Sequence, residues 1–361
     1  MPKEDKEDTI KQFFKSYAES EEQLDFRIGS DKLGLDVDVI STGSLTLDDA
    51  LSCGGLPCGR IIQYYGPPGS SKTLMSMIAI KNAQEKDPDA RQVFIDAEQT
   101  FSTIWATQLG IDTSKVIIID GDLAVNGRRC FEMLLGVPKE DIHSHKLKGK
   151  SKEGLLDQII TKKININLVV LDSLGAIIPP GEDTSAVGKM NISLMARFLA
   201  TTMKKLSLEV AKANIPFIVI NHKRDSMDMY KDHTFMGGNA YSHFLSANIY
   251  FELAGAKDAL ILDENEEKIG QVVRATVEKS KFGPHPKKCL FKVKFIEGVT
   301  ERVEEVIELG IKYEIIRKPN NVMYEYGEEK FRGKEALKQG LVSKPEMCRE
   351  IELKVLELFK K

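Results

Sequence analysis

With 361 residues, 42% of them hydrophobic, the chain is long enough for one large α/β core and a smaller domain, and it is not a disordered protein. Its net charge of −3 lacks the basic excess common in nucleic-acid-binding proteins, so any contact with DNA has to come from local clusters of cations. No run of 18 or more apolar residues predicts a membrane span, and the amino terminus has no apolar signal region. The five cysteines form no Cys-x-x-Cys pair and are interpreted as reduced thiols, so we expect a cytoplasmic protein without zinc or disulfides.

The amino-terminal segment and the core have different patterns. Residues 8–18 predict one short amphipathic helix, and an acidic linker follows at 20–25. Strand-like apolar runs then recur and alternate with helical patterns at 74–84 and 190–211. This alternation predicts a mostly parallel sheet with covered faces. The runs lie at 61–65, 93–95, 116–119, 168–171 and 217–220.

Two features interrupt or extend this core. Residues 137–155 are charged with little that could pack, and are predicted to be a mobile surface insertion. Longer alternating strands at 247–253, 271–278 and 290–295 are predicted to be antiparallel and to extend the sheet. From about residue 300, short helices and a hairpin indicate a small carboxy-terminal domain.

A phosphate-binding loop is the most specific motif. A strand, a tight loop and a helix meet at residues 66–73, and the loop's backbone N–H groups and the helix dipole suit phosphate. Lys72 is predicted to reach the β- and γ-phosphate oxygens, and the Thr73 hydroxyl to bind Mg²⁺. Ser71 stands where the pattern has glycine, which we expect to loosen binding or slow turnover. The alternative is an ordinary polar turn. The full set is Gly66, Pro67, Pro68, Gly69, Ser70, Ser71, Lys72 and Thr73.

Two carboxylates follow buried strands. Asp172 ends the run at 168–171 and is predicted to hold Mg²⁺ through water, with a helix N-cap as the alternative. Glu98 follows the run at 93–95 and lies on the ligand side of a parallel sheet. It is a candidate to orient or deprotonate the attacking water, and a solvated loop acid is the alternative.

Two cationic segments are candidates for DNA binding, each with a solvated surface as the alternative. Arg197 and Lys204 are seven apart in a predicted helix and share a face. The loop at 223–238 mixes cations for phosphates, apolar side chains that can wedge between bases, and glycines that allow close approach. Its candidates, with the residue after the loop, are Lys223, Arg224, Met227, Gly237, Gly238 and Asn239.

Three further features have two interpretations each. Lys279 and Lys281, two apart on a predicted strand, point to one face, which is either functional or simply basic. His222, at a strand end, can donate one hydrogen bond and accept another, or is a core histidine. Trp105, the only tryptophan, either stacks on a base or packs in the core.

These residues together resemble the RecA family over nearly the whole chain. The resembling segments are 37–61, 66–73, 94–101, 169–173, 219–224, 236–253, 278–288 and 305–337. The resemblance implies that Glu98 is the catalytic glutamate and that His222 senses the γ-phosphate. It also implies that Lys279 and Lys281 act on the nucleotide of a neighbouring subunit, and that Trp105, Ser102 and Phe295 contact adenine.

The same resemblance implies a three-layer RecA-like ATPase core over 36–299. Residues 1–35 are then a helix and linker for subunit contact, and 300–361 the small α/β carboxy-terminal domain. The expected function is an ATP-dependent recombinase that forms a filament on single-stranded DNA and promotes pairing and strand exchange with homologous double-stranded DNA. ATP and Mg²⁺ are the expected cofactors. Expected partners are both DNAs, further copies of the chain, and single-strand-binding and mediator proteins.

Departures from the family pattern point toward a phage protein of the UvsX kind, in a host cytoplasm. His222 replaces glutamine, Ser71 replaces glycine, residues 137–155 are extra, and the acidic tail of some bacterial relatives is missing. The sequence leaves two alternative functions open. A ring-shaped helicase is disfavoured because only about 35 residues precede the core. A non-catalytic DNA filament protein is supported by Ser71 alone.

Overall fold

A large mixed sheet runs through the part of the chain that the structure, a computed structural model, describes: residues 37–137, 152–182, 192–225, 233–255 and 259–359. The predicted helix at 8–18, most of the insertion at 137–155, and Met227 lie outside these residues. Residues 38–361 form one compact unit. A division of this unit at residue 300 stays a prediction.

Each of the five core apolar runs lies in a strand; the strand at 116–119 has the same bounds as its run, and the other four extend one to five residues beyond theirs at each end. The strands are β1 (Val39–Ile40), β2 (Leu56–Pro57), β3 (Arg60–Gly66), β4 (Arg91–Asp96), β5 (Val116–Ile119), β6 (Ile166–Asp172), β7 (Pro216–Asp225), β8 (His233–Phe235), β9 (Ala247–Leu253), β10 (Leu260–Leu262), β11 (Lys268–Ser280), β12 (Lys287–Lys294), β13 (Gly298–Thr300), β14 (Met323–Tyr326) and β15 (Glu329–Arg332).

Within the described residues the main sheet has the order β13-β12-β11-β9-β3-β7-β6-β4-β5, with β10 beside β11 and β8 beside β7. Strands β9, β3, β7, β6, β4 and β5 are parallel to one another. The prediction that 247–253 is antiparallel was therefore wrong for its pairing with β3, and correct only for its pairing with β11. The reason is a helical crossover, residues 238–244, which turns the chain so that β9 re-enters the sheet parallel to β3.

Helices cover both faces of the sheet, which gives the predicted three layers. They are α1 (Leu45–Ala50), α2 (Lys72–Lys86), α3 (Thr103–Gln108), α4 (Gly121–Val125), α5 (Gly127–Leu135), α6 (Leu155–Ile160), α7 (Ile192–Ala213), α8 (Gly238–Phe244), α9 (Arg302–Lys312), α10 (Lys334–Ser343) and α11 (Pro345–Leu358). Alternate strand residues enter opposite layers, as the two-residue period requires. Ile62 packs with α2 in one apolar cluster, and Ile61 with α7 in the other.

The carboxy-terminal elements have their own apolar cluster, which also contains Leu45 of α1. Glu305 of α9 is buried and accepts hydrogen bonds from the Ser44 hydroxyl and from the Thr46 hydroxyl, the latter at 2.9 Å. Burial raises the pKa of this carboxyl, and the two hydroxyls oppose that effect. A side chain of α9 thereby satisfies polar groups at the start of α1, which joins the two regions.

The predicted insertion is shorter than its assigned bounds. Val137 and Lys152 exchange backbone hydrogen bonds, and α6 begins at Leu155, which packs against the core. Residues 152–155 are therefore part of the packed structure, because these backbone bonds and apolar contacts bring the chain back to the core.

Candidate nucleotide and DNA site

The phosphate loop joins β3 to α2 as the sequence predicts. Gly66 lies so close to a neighbouring strand that a β-carbon would stand 2.1 Å from the Phe251 carbonyl oxygen, so only glycine fits. The Lys72 amine is buried and donates to the carbonyl oxygens of Pro67, at 2.8 Å, and Gly66, at 3.1 Å. Burial lowers the pKa of Lys72, while Asp172 and Glu98 oppose that effect. The amine thus lies inside the loop where phosphate oxygens are needed.

Ser71 adopts the left-handed conformation of the glycine that it replaces, with φ 70° and ψ 15°. The Gln271 amide Nε2 of β11 donates to the Ser71 hydroxyl at 2.6 Å and to the Gly69 carbonyl at 2.8 Å. Gln271 is buried, and its Oε1 has no hydrogen-bond partner. A side chain from a distant strand therefore supports the strained residue of the loop.

The proposed Mg²⁺ ligands are in direct contact. The Thr73 hydroxyl donates to Asp172 Oδ2 at 2.7 Å. Burial raises the pKa of Asp172 to about 6, and the Thr73 hydrogen bond acts against it; the charges of Glu98 and Asp96 raise it further. A buried carboxylate among other acids favours a nearby cation, and hydroxyl and carboxylate oxygens are ligands that Mg²⁺ prefers. These residues therefore fit the metal.

Glu98 and His222 meet at the carboxyl ends of their strands. His222 Nε2 lies 2.7 Å from Glu98 Oε1, and the Ser173 hydroxyl donates to the same oxygen and lies 3.2 Å from His222 Nε2. The His222 hydrogen bond is the main cause that holds the pKa of Glu98 below its usual range; burial opposes it and the Ser173 hydrogen bond adds to it. Glu98 is consequently an ionised acceptor, as a group that orients or deprotonates water must be.

A cavity of about 250 Å³ opens beside the phosphate loop. The half-buried Trp105 and Phe295 line it with residues of the loop, and the Trp105 indole N–H donates to the Phe295 carbonyl. The Lys268 amine lies 5.3 Å from the Phe295 ring centroid and lines the same cavity. The Ser102 hydroxyl instead caps α3 and accepts from the Trp105 backbone N–H at 3.2 Å. Trp105 and Phe295 are therefore within reach of a bound base.

Lys279 and Lys281 are close together, but the prediction that both lie on one strand was wrong. Strand β11 ends at Ser280, and its pairing with β9 shifts register between Val277 and Lys279. Lys281 therefore lies just beyond the strand and is exposed. The Lys279 amine donates to the Ser242 carbonyl at 2.6 Å. Burial, and then the charge of Lys281, lower the pKa of Lys279.

The second candidate DNA segment is partly a hairpin and not wholly a loop. Residues 223–225 of β7 pair with residues 233–235 of β8 in antiparallel register, because β7 continues past His222. Lys223 and Arg224 are exposed on this hairpin, and the Lys223 amine lies 5.9 Å from the Tyr250 ring centroid.

Two glycines follow the hairpin, and both have positive φ. At Gly237 a β-carbon would stand 2.6 Å from the Tyr241 ring, so this turn has a packing requirement for glycine. Gly238 begins α8, and Asn239 lies in the first turn of this helix.

The first candidate DNA segment ends in α7 as predicted. Arg197 and Lys204 are exposed along this helix, opposite the buried row that includes Leu199, Met203 and Leu206. The helix begins at Ile192, and residues 183–191 before it lie outside the part of the chain that the structure describes.

Comparisons with known proteins agree with this geometry. The sequence model of the RecA N-terminal domain matches residues 6–143 and 132–300. Protein RecA of Cytophaga hutchinsonii is 32% identical over 90% of this chain and 83% of its own length. The chain belongs to the RecA family. Protein RecA of Dichelobacter nodosus is 31% identical over 92% of this chain and 86% of its own length, and that of Colwellia psychrerythraea is 30% identical over 91% and 86%.

Membership in the RecA family carries the predicted activity. Family members are DNA-dependent ATPases of recombination and repair, and we assign this activity to the chain, with ATP and Mg²⁺ as cofactors and DNA and further copies of the chain as partners. The relatives named above are bacterial, so placement in the phage branch stays a prediction. Among the described helices none combines the length and the apolar composition that crossing a membrane requires.

Sequence reasoning missed several residues at this site. Gln271 and Lys268 lie about 200 positions after the phosphate loop, and no local pattern connects them with it. Ser173 follows Asp172 directly, so a polar residue after the candidate Mg²⁺ ligand was the one available signal. Glu278 immediately precedes Lys279 and accepts from the Asn248 amide at 3.1 Å.

Proposed function

We propose that the chain binds ATP between two subunits of a filament on single-stranded DNA. We also propose that His222 links the nucleotide to the protein hairpin formed by β7 and β8, which would contact the DNA. The observation that carries the proposal is the position of His222. This residue contacts Glu98 at 2.7 Å and directly precedes the residues of β7 that pair with β8.

On the nucleotide side, Lys72 and the loop N–H groups would hold the β- and γ-phosphates, and Thr73 and Asp172 would hold Mg²⁺. The metal supplies charge neutralisation at the phosphate oxygens when bound. Glu98, kept ionised by His222 and Ser173, orients the attacking water and accepts its proton. Trp105 and Phe295 would contact the base.

At the subunit junction, Lys279 and Lys281 are proposed to reach the nucleotide of the neighbouring subunit. The support is their charge, the exposure of Lys281, and the pKa of Lys279, which is lowered first by burial and second by the charge of Lys281. A pair of cations held close together repels itself and is stabilised when an anion arrives. ATP would then strengthen contact between subunits, and hydrolysis would weaken it.

On the DNA side, Lys223 and Arg224 are proposed to contact the phosphates, with Arg197 and Lys204 of α7 as further contacts. The protein would read backbone and shape, since base pairing between strands supplies the sequence information. Single-strand-binding and mediator proteins, and an origin in the phage branch, are part of this proposal.

The double variant Lys223→Ala/Arg224→Ala tests the DNA site. Each lost phosphate contact should reduce the slope of log K against log salt by about 0.7 for a single strand, or about 1.4 for two. The matched control is Lys162→Ala/Lys163→Ala, which removes two exposed neighbouring cations from the amino end of β6, at the opposite edge of the parallel strands. Fluorescence anisotropy at several salt concentrations gives the slopes. Equal slopes for the two variants would remove the hairpin from the interface.

A further inference from the structure

A chain of hydrogen-bonded side chains crosses four central strands of the sheet. Asn221 Nδ2 on β7 donates to Gln63 Oε1 on β3 at 2.9 Å. Gln63 Nε2 donates to Asn248 Oδ1 on β9 at 2.8 Å, and Asn248 Nδ2 donates to Glu278 Oε2 on β11 at 3.1 Å. We refer to Asn221, Gln63, Asn248 and Glu278 as the relay.

The three amides of the relay are buried among apolar side chains. Gln63 and Asn221 are 0% exposed, and Asn248 is 6% exposed. An unpartnered buried amide costs on the order of 1–3 kcal/mol, so such a chain is retained only where every member is satisfied. Each amide of the relay is satisfied at both its oxygen and its nitrogen.

At both ends of the relay the direction of the hydrogen bonds is fixed. At one end the His222 backbone N–H, which can only donate, donates to Asn221 Oδ1 at 2.9 Å. At the other end the Glu278 carboxylate can only accept, and it also accepts from the Tyr65 hydroxyl. No amide can therefore turn over by itself, so a displacement at one end must strain or break a bond elsewhere in the relay.

Both ends of the relay contact β8 or the residue just after it, and Glu278 directly precedes Lys279, which together with Lys281 forms the pair that we call the junction lysines. Asn221 Nδ2 donates to the Met236 carbonyl just after β8, at 2.9 Å. His233 of β8 places its Nε2 3.2 Å from Glu278 Oε1 and stacks on Tyr250 at 4.1 Å between ring centroids. Lys279 is the next residue after Glu278.

We propose that the relay is a positioning network that couples the β7–β8 hairpin and His222 to Lys279. The inference rests on the proposed function, because it assumes that the hairpin meets DNA and that Lys279 meets a nucleotide. When bound DNA shifts β8, Met236 would displace Asn221 at one end of the relay, and His233 would displace Glu278 at the other end. His222 and Lys279, which face different nucleotides, would then respond together.

The test compares two buried glutamines of the same sheet. Gln63→Met breaks the relay with a side chain of similar shape. Gln92→Met is the matched control, because Gln92 on β4 is also 0% exposed and joins a second amide chain, accepting from Gln84 Nε2 and donating to Asn167 Oδ1, both at 2.9 Å. That chain contacts neither the hairpin nor the junction lysines.

The readout is the ATPase rate with saturating single-stranded DNA divided by the rate without DNA. We expect Gln63→Met to lower this ratio about tenfold, in the range of ordinary coupling energies, while affinities for DNA and for ATP stay within about twofold. Gln92→Met should lose similar thermal stability and keep the ratio. A second break, Asn248→Leu, should add little to Gln63→Met, since a broken relay cannot be broken again.

Three results would overturn the proposal: an unchanged ratio, an equal fall of the ratio in the Gln92→Met control, or loss of the ratio only in step with lost DNA affinity. If Gln63→Met does not fold, Glu278→Leu removes the acceptor of the Asn248 Nδ2 bond, interrupts the relay at its partly exposed end and should lower the same ratio. Failure of the DNA site is distinguishable, because the salt slopes of the hairpin variant report on it and not on the ratio.

Discussion

The support that Gln271 gives to Ser71 can be tested by removing it. A serine in the left-handed region costs about 1 kcal/mol, and each hydrogen bond from the Gln271 amide contributes about 1 kcal/mol. Gln271→Ala loses both bonds, to the Ser71 hydroxyl at 2.6 Å and to the Gly69 carbonyl at 2.8 Å. The loop then leaves the phosphate-binding conformation more often, and apparent nucleotide affinity falls with the competent fraction.

The magnitude depends on whether residue 71 needs support. In the natural chain, loss of about 2 kcal/mol corresponds to a fall in affinity of up to about 30-fold. In a Ser71→Gly background the strain is absent and only the bond to Gly69 remains, so the same change should cost about 1 kcal/mol, or about fivefold. The expected coupling between the two positions is therefore about 1 kcal/mol.

A fluorescent ATP analogue titrated with Mg²⁺ into the four proteins of this cycle measures the coupling directly. Thermal melts of the same proteins control for general loss of stability. An equal fall in affinity in both backgrounds would show that Gln271 does not act through Ser71. A larger fall in the Ser71→Gly background would also contradict the reasoning.

Three further predictions concern the nucleotide site. Burial raises the pKa of Asp172 to about 6, so a proton should compete with Mg²⁺ for this carboxyl as the pH falls through 6, and Mg²⁺-dependent nucleotide binding should weaken there. Asp172→Asn should bind Mg²⁺ weakly, and its nucleotide affinity should not change with pH near 6 in a pH titration. Glu98→Gln should keep ATP binding and lose hydrolysis, and an ATPase rate equal to that of the natural chain would refute its role. The Lys279→Ala/Lys281→Ala protein and the Lys72→Ala protein should each be inactive. When they are mixed, some ATPase activity should return, because a junction between them can pair the intact phosphate loop of one protein with the intact lysines of the other. No recovery in filaments that microscopy shows to be mixed would contradict action across the junction.

The elements that carry the phosphate chemistry were predictable because they are local. Strand, loop and helix at 60–86 follow one another in the chain, so their apolar pattern and the glycines between them were sufficient. Asp172 and Glu98 were found in the same way, since a carboxyl group at the end of a buried parallel strand must lie at the ligand edge. The strand bounds near residues 223 and 280 were wrong because pairing with β8 and the bulge in β11 depend on neighbours far along the chain.

By itself the sequence determined the alternation of strands and helices, the phosphate loop and membership in the RecA family. Only the tertiary structure decided which polar side chains meet. Gln271 and Ser71 are 200 positions apart, and Gln63 and Asn248 are 185 apart. An isolated glutamine or asparagine in a strand has no distinguishing pattern, since its role depends on the partner that strand order brings within hydrogen-bond distance. The sheet order β11-β9-β3-β7 creates the relay, because it sets four chain-distant polar residues side by side in a buried layer where each must find a partner.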